Sequence, residues 1–496
     1  MATDVEMAVS TGNVEVDVSG EPAAREASSG DVGSEVSSGD VGSEVSSEDV
    51  GRKVSSEDVG RKVSSGDVER EVASLLENEP PATYLAAHLV REDEEIFAGV
   101  EDKDVRRSLR VGEVPMPELA PDEVLMAVMA SAVNYNTVWS AMFEPIPTFR
   151  FLEQMGRRGG WDARHDLPYH VLGSDGAGVV VQRGAAVTKW AIGDRVVATP
   201  MVIDSQDPLS QVDGMLAADQ RAWGFETNFG GLAHYAVVKA TQLLPKPRHL
   251  TWEEAACNTL CAMTAYRMLV SPLGAQFKQG DIVLVWGATG GLGAYAVQLI
   301  RNGGGIAIGV VGSEPKARLL ERLGCDLVLR RDELGLDGLG EVEMGKRVGR
   351  EIRRHLGEDP HIVFEHVGRE TFGASVYVVR RGGTVVTCGS STGYRHEYDN
   401  RRLWMRLKRV IGSHGANWQE AWETNRLIER GGIVPALSKA YPFEQVGEAT
   451  REVQLNRHVG KIGVLCLAER EGLGVEDPER RASIGEERLG LFREFA

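Results

Sequence analysis

Between residues 281 and 301 the chain reads DIVLVWGATGGLGAYAVQLIR, and its hydrophobic period changes within a single turn. Residues 282–286 are an unbroken apolar run, the pattern of a buried strand, and from Ala294 onward apolar positions recur at helical spacing. Between them Gly287, Gly290 and Gly293 stand three residues apart. A tight strand-to-helix turn of this kind lets a pyrophosphate approach backbone N–H groups at a helix N-terminus. A glycine-rich turn in an ordinary α/β domain has the same outline, but strand, glycines and helix in register favour a dinucleotide site. The candidate cofactor-binding residues are therefore Gly287, Thr289, Gly290, Gly291, Leu292 and Gly293.

The pattern on either side predicts two different architectures. Upstream, residues 123–133, 170–181, 193–198 and 232–238 read as short strands separated by Gly/Asp turns, a β-rich domain. Thr251, with Glu254 three residues on, predicts a capped helix running to about Val270. Downstream, strands at 306–311, 362–365 and 384–388 alternate with helices, one of them at 315–323 and stopped by Gly324. That alternation predicts an α/β fold with a doubly wound parallel sheet. Residues 410–412 and 462–467 are expected to be strands returning to the first domain. The expected units are thus 73–265 and 409–468 for the β-rich domain, 266–408 for the cofactor domain, and a charged tail at 469–496. Residues 1–72 carry a nine-residue repeat, SSGDVGSEV at 28 and 37, SSEDVGRKV at 46 and 55, SSGDVEREV at 64. Valine is its only recurring large apolar residue, too little burial to offset the ordering entropy, so a disordered tail is expected, with an unidentified partner as the functional alternative.

Composition narrows the function classes. The formal charge of −18 argues against general nucleic-acid binding and against anionic membranes. Five cysteines without a framework spacing point to a reducing compartment, and the start has no signal-peptide pattern, so a cytoplasmic protein is expected. No uninterrupted apolar run is long enough to span a membrane.

A β-rich domain followed by a dinucleotide domain resembles the medium-chain dehydrogenase/reductase superfamily over roughly residues 75–468, which implies a GroES-like catalytic domain beside a Rossmann domain. Zinc-dependent members carry Gly-His-Glu where this chain has Gly173-Ser174-Asp175, and a Cys where it has Asn134-Tyr135-Asn136. Cys257 and Cys261 lack a neighbouring His/Cys pair and read as core, so no metal is expected. Longer strings are similar to the crotonyl-CoA carboxylase/reductase family: NYNTVWSAMFEP at 134–145, RHDLPYHVLGSD at 164–175, WGFETNFGG at 223–231, VFEHVGRETFGAS at 363–375 and HEYDNRRLWMRLKRVIGSH at 396–414. The resemblance implies reduction of an α,β-unsaturated acyl-CoA by NADPH with CO2 fixation, giving a 2-alkylmalonyl-CoA. It also implies a homo-oligomer. Such a product serves acyl-CoA assimilation or polyketide extender supply, and the sequence does not separate the two.

The chemistry makes a physical demand. Hydride delivered to Cβ leaves an enolate whose Cα meets either a proton or CO2, so carboxylation requires water exclusion and a pre-placed CO2. Donors aimed at the CO2 oxygens stabilise the charge that develops there. The resemblance places this pocket on Asn136, Phe225, Glu226 and His414, with Asn134 the lesser choice. Asn136 and His414 are expected to donate, Phe225 to wall the pocket, and Glu226 to orient a water or donor. At the end of the second parallel strand, Ser313 and Lys316 suit a 2′-phosphate, which with the resemblance implies NADPH; Glu314 could instead face the ribose, and Ser313 could simply cap a helix. Arg401, Arg402, Arg406, Lys408 and Arg409 form a basic stretch suited to CoA phosphates or to solvent. Gly415 and Gly389 replace a Phe and an Ala of the family pattern, so an enlarged acyl pocket is expected unless the backbone itself needs glycine there. A non-carboxylating enoyl-thioester or quinone reductase is the alternative enzyme, and a silent nucleotide-binding protein the alternative outside catalysis.

Overall fold

In the computed structural model, residues 72–73 and 75–496 are described; the nine-residue repeat up to residue 71, with its expected disorder, lies outside them, and Val72, the last repeat position, is buried. The β-rich part is organised on Glu123–Val133, whose eleven residues are all buried. This strand pairs antiparallel with Ala177–Arg183, Tyr235–Lys239 and Lys461–Leu465. Two register shifts against Ala177–Arg183 let different lengths of it serve different partners. A second, three-stranded sheet holds Arg110–Pro115, Thr83–Val90 and Tyr169–Val171.

The cofactor half is a six-stranded parallel sheet in the order Leu327–Arg330, Ile306–Val311, Ile282–Val285, Ile362–Glu365, Thr384–Thr387, Arg409–Gly412. Ile282–Val285 is buried throughout, as a central strand covered by helices on both faces must be. The strand order reverses direction at this central strand, where open α/β sheets bind ligands.

Four expectations are corrected. Residues 409–412 do not return to the β-rich domain: they extend the parallel sheet, Thr384 opposite Arg409 through Thr387 opposite Gly412. A short apolar run carries no record of which sheet it joins. Residues Lys461–Leu465 do return, Ile462 lying opposite Val133. The helix begun by the Thr251–Glu254 capping box ends at Ala256, and a second helix spans Thr259–Val270. The break arises because the Asp175 carboxylate accepts the Leu260 N–H at 2.8 Å, and Asn258 Nδ2 donates to Glu254 O at 2.8 Å. The strand expected at 232–238 is Tyr235–Lys239. Lastly, the charged C-terminal segment is integral to the body. Trp252 N–H donates to Leu473 O at 2.9 Å, the fully buried Lys246 ammonium donates to Gly474 O at 2.7 Å, and Leu489, Leu491 and Phe492 enter the main core. Among the described residues no helix is long and apolar enough to cross a membrane.

Candidate functional site

Three sequence strings far apart in the chain meet at one place. Asn134 and Asn136 lie at the end of Glu123–Val133 and the start of the helix Tyr135–Met142. Gly173-Ser174-Asp175 connects Tyr169–Val171 to Ala177–Arg183, and Trp223 to Glu226 follow the short strand Arg221–Ala222. The last two segments press backbone on backbone. A Cβ at Gly224, which has φ +65°, would sit 2.1 Å from Gly173 O, and one at Gly173, with φ +112°, would sit 2.3 Å from Leu232 N. Only glycine tolerates both the left-handed backbone and that approach.

Beside this frame is a buried ion pair. Lys461 Nζ lies 3.0 Å from Asp175 Oδ2 and donates to Val133 O at 2.8 Å, with Asp175 wholly buried and Lys461 3% exposed. Asn134 spends its amide on it: Nδ2 donates to Asp175 Oδ2 at 2.8 Å and Oδ1 accepts from Lys461. Burial lowers the Lys461 pKa, but Asp175 together with the nearby Cys261 and Cys257 more than reverses this and the net shift is upward. A buried pair with every lone pair engaged fixes geometry more than it adds stability. It distinguishes the two asparagines, because both amide atoms of Asn134 are held by the ion pair.

Asn136 is differently placed. Its Nδ2 donates to Ser174 Oγ at 2.8 Å, Ser174 Oγ donates to Trp223 O at 2.6 Å, and Asn136 Oδ1 is buried without a partner. Asn136 is thereby tied to the segment carrying Phe225, whose ring lies 6.0 Å from Phe151 at 45°. One Glu226 oxygen accepts the Ala222 N–H at 2.7 Å. Glu226 and His414 also interact by charge: burial of the imidazole within the surrounding protein lowers its pKa, Glu226 opposes this, and Arg267 adds to it. Among the described residues the His414 ring makes no hydrogen bond, and it keeps solvent access at a cavity of about 380 Å³ walled by Met215, Leu216, Leu273 and Arg267. Asn136, Phe225 and Glu226 are joined through Ser174 and Trp223, whereas His414 follows the last strand of the parallel sheet and no hydrogen bond among the described residues joins it to them. Ser174, Asp175 and Lys461 were not anticipated as site residues; the polar run Gly-Ser-Asp inside an apolar stretch was the available signal.

At the glycine turn, Gly287 adopts φ +56°, and a Cβ at Gly293 would sit 2.3 Å from Gly287 O, so helix and strand touch only because it is glycine. The helix Gly291–Asn302 has Gly290 as its N-cap and no side chain capping it, which leaves first-turn N–H groups for an anion. Thr289 is buried, its carbonyl accepting Gly460 N–H at 2.6 Å, and Leu292 packs against the core. At the end of Ile306–Val311, Glu314 is bound by Arg330 at 2.5 Å and Arg318 at 3.4 Å. Ser313 is the N-cap of Glu314–Arg322 by backbone, yet its hydroxyl makes no capping bond. Lys316 has no acidic partner among the described residues, and burial lowers its pKa. Its neighbours leave Ser313 and Lys316 free to meet a phosphate.

Other candidates are placed plainly. Lys408 is used internally, donating to Val376 O at 2.7 Å and Tyr377 O at 2.9 Å; Arg402 lies over the Tyr377 ring at 4.1 Å, and Arg401 pairs with Asp399 at 2.9 Å. Arg406 and Arg409 are exposed. A Cβ at Gly415 would lie 2.5 Å from Met201 Sδ, at φ +49°, so this glycine serves the backbone and leaves no void; at Gly389 nothing lies within 4 Å. Cys257 and Cys261 are core, burial pushing their thiols up to about 12 and about 11. Among the described residues no group of three or more His, Cys, Asp or Glu could hold a metal ion.

Comparison with known proteins gives two family matches: an alcohol dehydrogenase GroES-like domain over residues 120–248 and a zinc-binding dehydrogenase model over 291–430. A crotonyl-CoA reductase of Streptomyces collinus is 54% identical over 81% of this chain and 92% of its own length. A crotonyl-CoA carboxylase/reductase of Cereibacter sphaeroides is 38% identical over 74% and 86% respectively. A solved 2-octenoyl-CoA carboxylase reductase in complex with NADP and 2-octenoyl-CoA is 60% identical, with a TM-score of 0.84, covering 87% of this chain and 99% of that one.

Proposed function

The chain belongs to the crotonyl-CoA carboxylase/reductase family, and from that premise we propose that it reduces a 2-enoyl-CoA with NADPH and carboxylates it with CO2 to a 2-alkylmalonyl-CoA. The observation carrying the carboxylation is the meeting of Asn136 with the Phe225–Glu226 segment through one buried hydroxyl. NADPH supplies hydride to Cβ of the enoyl thioester, and the Cβ–H bond forms as the double-bond electrons move to the thioester as an enolate. The residues of the site then decide the fate of Cα. Asn136 offers its remaining Nδ2 hydrogen to one CO2 oxygen, and His414 offers a ring N–H toward the other. Phe225 and Phe151 supply an apolar wall that keeps water from the enolate, while Glu226 holds the His414 orientation through charge. As the C–C bond forms, the enolate pair passes to Cα–CO2 and the new carboxylate oxygens meet these donors. Ser313 and Lys316 meet the 2′-phosphate, and first-turn N–H groups of Gly291, Leu292 and Gly293 meet the pyrophosphate.

The medium-length acyl chain is part of this proposal, supported by the 60% identity to a 2-octenoyl-CoA enzyme and the open space at Gly389. So is a cytoplasmic homo-oligomer. Arg409–Gly412 is an edge strand, with Trp404 56%, Met405 62% and Leu407 69% exposed just before it, an unpaired edge suited to a second copy. The proposal is tested with a panel of 2-enoyl-CoA substrates and NADPH, with and without bicarbonate, weighing the products by mass. Alkylmalonyl-CoA is expected, and only saturated acyl-CoA at high bicarbonate would assign a non-carboxylating reductase. Asn136→Ala or His414→Ala is expected to shift the product toward simple reduction roughly ten- to a hundredfold, the worth of a hydrogen bond to a charged group at about 1.5–3 kcal/mol.

A further inference from the structure

We propose that Ser174 is a positioning residue for CO2 capture, one hydroxyl that both orients the Asn136 amide and sets its distance from the Phe225 segment. The inference rests on the pocket reading above. Ser174 is 1% exposed, and its Oγ has one proton to give. That proton goes to Trp223 O at 2.6 Å, so toward Asn136, 2.8 Å away, the oxygen acts only as acceptor.

The consequence concerns the amide. A terminal Asn torsion is broad and roughly two-fold, so its oxygen and nitrogen exchange places at little intrinsic cost. With Ser174 accepting, the NH2 group must face the hydroxyl and Oδ1 must face away, which is how the buried, unpartnered Oδ1 is found. The second Nδ2 hydrogen then stays available to a CO2 oxygen. A flipped amide would present lone pairs to the hydrogen-bonding neighbour or to the CO2 oxygens instead.

The hydroxyl itself is held. Gly173 and Gly224 interlock at 2.1 Å from an added Cβ to backbone, and the next residue, Asp175, is tied to Asn134, Leu260 N–H and Lys461 at 2.8, 2.8 and 3.0 Å. Trp223 is fixed in turn, its indole N–H donating to Phe229 O at 3.1 Å. Ser174 therefore connects two rigid segments and has no freedom to follow a mobile Asn136.

The test compares Ser174→Ala, Ser174→Thr and Asn136→Ala in the full chain, reading carboxylated against reduced product at limiting bicarbonate, together with KM for bicarbonate, NADPH and enoyl-CoA. In Ser174→Ala the product ratio is expected to fall about two- to tenfold, the worth of a neutral hydrogen bond, with a matching rise in KM for bicarbonate alone. Ser174→Thr, which returns the hydroxyl, is expected to recover the ratio. Should the alanine protein not fold, Ser174→Cys, which keeps the volume but weakens both hydrogen bonds, is read in its place. An unchanged ratio in the folded variant, with Asn136→Ala shifted, overturns the positioning role and leaves the pocket standing. An unchanged ratio in Asn136→Ala overturns the pocket reading itself. A fall accompanied by equal rises in KM for NADPH and enoyl-CoA marks a general structural defect and also overturns the positioning role.

Discussion

Replacing Lys316 by Ala tests how the protein chooses its nicotinamide cofactor. Glu314, the acid that follows Ile306–Val311, is held by Arg330 at 2.5 Å and by Arg318, so it is turned to other cations. Lys316 keeps a half-buried ammonium with no acidic partner among the described residues. A cation left unpaired near the cofactor loop costs desolvation, which a bound phosphate would offset. A charge-assisted hydrogen bond is worth about 1.5–3 kcal/mol, and partial exposure of Lys316 places the estimate at the lower end, roughly tenfold in affinity. The expected result is a rise of about tenfold in KM for NADPH with NADH kinetics unchanged. Because the lysine is unpaired, the melting temperature of the cofactor-free protein should hold or rise. The assay is kcat/KM for NADPH and NADH at saturating enoyl-CoA, with Ser313→Ala in parallel. A parallel fall for both cofactors would refute the 2′-phosphate assignment, since NADH has no such phosphate to lose.

Three further outcomes are expected. His170 is fully buried, its ring nitrogens 2.9 Å from Thr148 Oγ1 and 3.1 Å from Thr227 O, and burial lowers its pKa from 6.5 to about 4. The native ring stays neutral while the unfolded ring protonates, so stability is full above about pH 6.5 and is lost as pH falls toward 4, by up to about 3 kcal/mol; denaturant titrations at several pH values should show this loss, and a His170→Gln variant with the same slope would contradict it. Deleting residues 1–68 should leave turnover intact, since the described core begins with the buried Val72; a folded truncation that has lost most activity would give the tail a catalytic role. In a series of butenoyl, hexenoyl and octenoyl substrates, kcat/KM should favour the longer chains, and Gly415→Phe should destabilise the protein rather than shorten its preference, because Met201 already fills that space.

The sequence by itself determined the dinucleotide turn, the two-domain order and the family. The reason is local: a strand, three glycines and a helix are contiguous, so 281–301 contains its own geometry, and long strings retain a family pattern without any knowledge of contacts. It also brought forward Asn136, Phe225, Glu226 and His414 together, but only through that resemblance. Tertiary structure decided the rest, because the deciding interactions join residues distant in the chain. Whether 409–412 belongs to one sheet or the other depends on a partner strand, and a four-residue apolar run does not name its partner. That Asn134 has both amide atoms committed to Asp175 and Lys461, while Asn136 has only its Nδ2 engaged, follows from contacts across about 40 and 330 positions. The break after Ala256 has the same origin, since a carboxylate 85 positions upstream of Leu260 claims its N–H. The capping box at Thr251 was legible because both of its bonds close within four residues; the choice between two asparagines separated by one residue was not, because buried polar groups are assigned by whichever neighbours the fold supplies.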